Sequence, residues 1–132
     1  MATHRRRGAA AIEFAFVLLL LIPLLFGIME YGWLFLQQSN ITSAVREGTR
    51  LGVTYDQEET PDPADAAVAR VNELLASYNL TGATVVAVYA GTSPDETLTV
   101  TATVPYQPLI GVRVITPDSL GASMTMLLEI QD

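Results

Sequence analysis

Cysteine is absent from the chain, which removes disulfides, thiolate catalysis and cysteine metal sites together. Any domain outside a membrane must then be held by packing or by partners. The single histidine, His4, stands beside Arg5, Arg6 and Arg7 at the start, so the rest of the chain has neither a histidine-activated nucleophile nor a histidine metal site. Lysine is missing too, and the arginines beyond those three are scattered, which leaves no electrostatic footprint for nucleic acid. Acids are plentiful, but Asp56, Glu58, Glu59, Asp62 and Asp65 lack the glycine and the alternation of a calcium loop; they read as solvated or helix-capping. No glycine-rich phosphate cradle occurs. These absences predict a protein with no cofactor, no metal, no nucleic acid and no small-molecule substrate, and one that is not an enzyme.

What the chain does have is a membrane-length apolar run. From Phe14 to Met29 no residue is charged, and Ala9 to Leu36 is continuously compatible with helix, where about 20 residues suffice to cross a hydrocarbon core of about 30 Å. Three arginines precede this run, whereas Gly32 to Asp132 carries twelve acids against four arginines. The basic end is therefore expected in the cytoplasm and the acidic remainder outside, as a single-pass protein of the inner (cytoplasmic) membrane with a periplasmic or extracellular domain. A cleaved secretory signal fits poorly, because the apolar stretch exceeds the usual length of about 7 to 15 residues and no small-x-small site follows it at Phe26 to Tyr31. Pro23 removes one backbone donor and Gly27 and Gly32 permit close approach without forming a GxxxG pair, a pattern of helix packing without a defined dimer.

One carboxylate, Glu13, sits just inside the run. An ionised side chain at the centre of a spanning helix costs about 2.5 to 3.5 kcal/mol, so an acid here calls for a partner unless it reaches water at the cytoplasmic surface. Its context is a basic leader, then Gly8, then glutamate as the fifth residue after that glycine, then Phe14. This order resembles the processing site of type IV pilin-like proteins, although many of those carry tyrosine where Phe14 stands. The resemblance implies cleavage between Gly8 and Ala9 by a prepilin peptidase. The new ammonium of Ala9 would then lie one helical turn from Glu13, or near the Glu13 of an adjacent subunit in a helical stack.

Three blocks sharpen the resemblance: Ala9 to Ala15 (AAAIEFA), Phe26 to Gly32 (FGIMEYG) and Ala44 to Arg50 (AVREGTR). In this order and spacing they are similar to the N-terminal signature of TadE-like proteins. That family implies a minor pilin or pseudopilin of the tight adherence system, which builds Flp pili for attachment and biofilm formation. Its partners would be prepilin peptidase, other pilins and pseudopilins, the pilus assembly platform and the membrane. Within the blocks, Glu30, Arg46, Glu47 and Arg50 are candidate partner contacts. Against that, Glu30 sits near the outer interface in reach of water, and Arg46 and Arg50 can simply complement the dipole at an exposed helix end.

Beyond the membrane, Leu34, Ile41, Ala44, Val45, Gly48 and Leu51 recur at helical spacing, so the helix is expected to run to about Leu51 with Gly52 as its stop. Tyr55 to Pro63 reads as an acidic loop. Asp62 then caps a second helix with Pro63 in its first turn, and Ala67, Val68, Val71, Leu74, Leu75 and Tyr78 form its apolar stripe until Asn79 to Gly82 ends it. Strands are expected at Ala83 to Ala90, Thr97 to Tyr106 and Leu120 to Ile130, with a hairpin turn at Gly91 to Glu96 and the threonines of the second strand facing solvent. Leu109 to Ile115 fits either a short strand or an apolar loop against the membrane or a partner.

The expected fold is α+β: a long N-terminal transmembrane helix continuing into a small ectodomain with one further helix packed on a 3–4 stranded antiparallel sheet. The expected divisions are leader 1–8, membrane helix 9–36, its extension 37–52 and ectodomain 53–132. Two function classes follow. One is the pilus assembly protein; the other is a single-pass, signal-anchored periplasmic binding or sensory module.

Overall fold

The computed structural model describes residues 2–54, 62–92, 95–111 and 116–128, with the backbone alone for 2–7. Its elements are the helices α1 (Ala2–Thr54) and α2 (Pro63–Ser77) and the strands β1 (Thr84–Ala90), β2 (Thr97–Pro105) and β3 (Ser119–Leu127). This is the expected α+β arrangement, with three strands among the described residues. Leu109 to Gly111 is irregular, and the rest of the fourth strand candidate lies outside the described residues. So do most of the acidic loop after Thr54, the centre of the β1–β2 turn and the last residues of the expected third strand.

At 53 residues, α1 is about 80 Å long at 1.5 Å per residue, and it passes through Pro23 without a break. It does not stop at Leu51. Gly52 lies inside the helix, where a side chain would meet Leu98 Cδ2 at 2.7 Å, the Pro63 carbonyl at 2.8 Å and Ala67 Cβ at 2.9 Å. Gly48, one turn earlier, is tighter still, with Val71 Cγ2 at 2.3 Å and the Ala67 carbonyl at 2.9 Å from the position of a Cβ. The two glycines let α2 approach the backbone of α1, and close packing, not helix termination, explains Gly52.

Helix α2 begins as expected. Asp62 accepts a hydrogen bond from the Ala64 amide at 2.8 Å and Pro63 occupies the first turn. The Tyr89 hydroxyl from β1 joins this cap, accepting from the same amide at 3.0 Å and donating to Asp62 Oδ1 at 2.5 Å. The far end closes with Asn79 at φ 60°, the Leu80 amide on the Leu75 carbonyl and the Asn79 amide on that of Ala76, which satisfies the terminal carbonyls and turns Leu80 into the core.

The strands form an antiparallel meander in the order β1-β2-β3. Alternation in β2 sends Leu98, Val100, Ala102 and Val104 inward, all essentially fully buried, while its threonines point outward. Helix α1 covers β3 and β2, and α2 covers β1 and β2. Ile41, Ala44 and Val45 of α1 meet Ala67, Val71 and Leu75 of α2 over that strand, forming one core. On the opposite face Thr99 pairs with Thr125 and Thr101 with Ser123, each at 2.9 Å between hydroxyls.

Candidate assembly helix and its carboxylate clamp

The N-terminal half of α1 projects from the ectodomain. Ile12, Phe14, Phe16, Leu19, Leu20, Leu24, Ile28 and Met29 are between 54% and 77% exposed, a helix apolar on all sides that the other described elements do not cover. Such a surface requires lipid or other apolar helices. Gly8 and Ala9 are exposed on this helix, with open space where a Cβ of Gly8 would stand. Glu13 and Phe14 follow one turn later, both exposed. The four residues expected to govern processing and assembly thus share one uninterrupted helical segment.

Glu30 behaves differently. Expected at a water-reachable position, it is only 4% exposed, and its carboxylate is gathered in by the chain itself. The Tyr106 hydroxyl donates to Oε1 at 2.5 Å, the Leu109 amide to Oε1 at 3.2 Å and the Ile110 amide to Oε2 at 3.0 Å. Burial, then the hydrogen bond to this carboxylate, pushes the Tyr106 hydroxyl up to about 12. One and two turns further along, Trp33 Nε1 and Gln37 Nε2 donate to the Gln107 carbonyl at 2.9 and 2.8 Å. Gln38 donates to the Gly121 carbonyl of β3 at 2.9 Å. Glu30, Trp33 and Gln37, spaced i, i+3, i+7, therefore clamp the segment 106–110 onto one face of α1.

Sequence reasoning missed this clamp. Its local signal was a polar stripe on one face of an otherwise apolar helix, but the partners are 70 to 80 residues away. Gln37 also lines a cavity of about 80 Å³ with Trp33, Asn40, Tyr78, Asn79 and Gln107, a setting of amides and aromatic rings.

The remaining candidates lie elsewhere on α1. Arg46 and Arg50 are exposed, Glu47 is half-buried, and the Glu47 carboxylate lies 3.6 Å from Arg50 Nε. Because the helix extends to Thr54, its last turn holds no basic residue, so these arginines do not complement a helix terminus. Among the described residues no group of three or more acids or histidines is placed to hold a metal ion.

Residues 8–50 match the family described as TadE-like protein. Over this part of the chain α1 is similar to TadE-like proteins. The match opens at Gly8, runs through Glu13, Glu30 and Arg46 to Arg50, and ends before α2 and the sheet. It bears out the resemblance read from the three sequence blocks, all of which lie within the matched residues. No curated protein and no solved structure shows significant similarity to the chain.

Proposed function

We propose that this protein is a minor pilin or pseudopilin that takes part in building Flp-type pili, and through them in adherence and biofilm formation. The observation that carries this reading is a TadE-like segment starting at Gly8 whose apolar helix is uncovered on all sides, with Glu13 exposed one turn beyond Ala9. A prepilin peptidase cleaves after Gly8 on the cytoplasmic face of the inner membrane, and the ammonium of Ala9 becomes available to a carboxylate. Glu13 of this or a neighbouring subunit meets it, which offsets the cost of a charge in lipid and sets register in the stack. Arg46, Glu47 and Arg50, on the exposed side of the extramembrane helix, offer contacts to neighbouring pilins or to the assembly platform. The chain makes and breaks no bond in this role.

Deleting the gene and imaging the cell surface tests the reading. Loss or gross reduction of filaments, restored by the intact gene and not by Glu13→Ala, is the expected result. Unaltered filaments and adhesion would refute it.

A further inference from the structure

The apolar stretch between the two acids of α1 is too short for a membrane. Phe14 to Met29 is sixteen residues, about 24 Å of helix, against a hydrocarbon core of about 30 Å. If Glu13 marks the cytoplasmic boundary, the outer boundary falls about 20 residues on, near Trp33, and Glu30 lies inside it. The exposed side chains agree: Tyr31, Phe35 and Leu36 are 46%, 68% and 50% exposed, so the apolar surface continues about 8 Å beyond the level of Glu30.

A carboxylate at that depth needs donors, and it has them from the segment after β2. The Leu109 and Ile110 amides bond directly to Glu30, which holds these residues at its own depth. Irregular backbone at membrane depth must in turn have its polar groups satisfied. The same clamp meets part of this need, since those amides end on Glu30 and the Gln107 carbonyl takes Trp33 and Gln37. The segment turns Leu109 outward, 51% exposed, while the exposed amide of Gln107 at its ectodomain end is bonded to Thr81 Oγ1 at 3.1 Å.

We propose that Gln107–Ile110 is an interfacial loop seated in the outer leaflet, with lipid as the partner of Leu109 and Glu30 as its internal anchor. The inference rests on the membrane-spanning reading of α1. The loop fixes the height and tilt of the ectodomain over the bilayer, because it is joined to the helix on one side and continues β2 on the other. Lipid tails thus meet Leu109 on the clamped face of the helix and Phe35 on the uncovered one.

Because the chain has no cysteine, single cysteines report cleanly. The full chain is placed in phosphatidylethanolamine–phosphatidylglycerol vesicles with the fluorophore NBD on Leu109→Cys, on Leu20→Cys in the span, or on Val86→Cys, exposed on the outer face of the sheet. The expected result is blue-shifted emission at position 109, quenched by lipid nitroxides near the headgroup more than by those near the chain ends. Position 20 should show the reverse depth preference and position 86 water-like, unquenched emission. Emission at 109 matching that at 86, with 20 quenched deeply, overturns the loop proposal and leaves the span intact. A label at 109 that is shielded from water yet untouched by lipid nitroxides also overturns it, in favour of a protein partner. Absence of quenching at 20 overturns the spanning reading and the loop with it.

Discussion

Residues 12–29 and residues 41–53 of α1 belong to one uninterrupted helix and are both rich in apolar side chains, yet Leu20 is 77% exposed and Ile41 is fully buried. The difference lies in what surrounds them. The outer half has α2 and a three-stranded sheet laid against it, and two glycines one turn apart make room for α2. Among the described residues nothing packs on the inner half, whose apolar surface calls for lipid or other apolar helices. One helix therefore serves as core of a small domain at one end and as an attachment element at the other. The Glu30 clamp stands where the two environments meet.

That comparison can be broken by substitutions that affect one half and spare the other. Leu98→Ala should have the largest effect on the domain, about 2 to 5 kcal/mol, because Leu98 is fully buried in the central strand and lies close to Gly52. Denaturant titration of the detergent-solubilised chain would measure it. Tyr106→Phe should cost about 1.5 to 3 kcal/mol by withdrawing a hydroxyl from a carboxylate, with faster amide exchange at Leu109 and Ile110 as its specific sign. Gly48→Ala should cost about 1 to 3 kcal/mol, since its new methyl would collide with Val71 and the Ala67 carbonyl; paired with Val71→Ala, part of the loss should return.

A smaller effect is expected from pH at the α2 cap. Burial and the hydrogen bond to Asp62 push the Tyr89 hydroxyl from an ordinary 10.0 up to about 12, so the folded state holds a proton that the unfolded chain gives up sooner. The stabilisation from this group is complete below pH 10 and disappears as pH rises through 12. Asp62 is shifted the other way, chiefly by its bond from Tyr89, so its contribution is present above its ordinary 3.8 and is lost as pH falls further. Tyr89→Phe should make the alkaline arm of the stability profile shallower, leaving the share that Tyr106 contributes. Smallest of all, Leu20→Ala should leave domain stability within about 0.5 kcal/mol, its consequences appearing instead in membrane retention and filament assembly.

Much of this was legible along the chain because the signals are local. The uncharged run, the Asp62-Pro63 start, the alternation of Thr97 to Val104 and the stop at Asn79 each depend on residues within a few positions of one another, and each element formed where its pattern stood. The exceptions involve distance. Gly52 carries the local mark of a helix terminus, but a glycine is equally the residue that admits a second helix, and only the position of α2 decides between them. Glu30 reads as an acid near a membrane surface until β2 is folded, when Tyr106 and the two amides arrive. The residues proposed for processing and assembly, Gly8, Ala9, Glu13 and Phe14, form a linear segment on one helix, so order and spacing alone can suggest them.

Processing after Gly8, as proposed, leaves α1 of the mature protein starting at Ala9. Intact mass and N-terminal sequencing of the protein recovered from its native membrane measure this directly. The expected chain starts at Ala9 and lacks Met1 to Gly8, with Gly8→Leu blocking the conversion; a membrane-bound protein still carrying Arg5, Arg6 and Arg7 would contradict it.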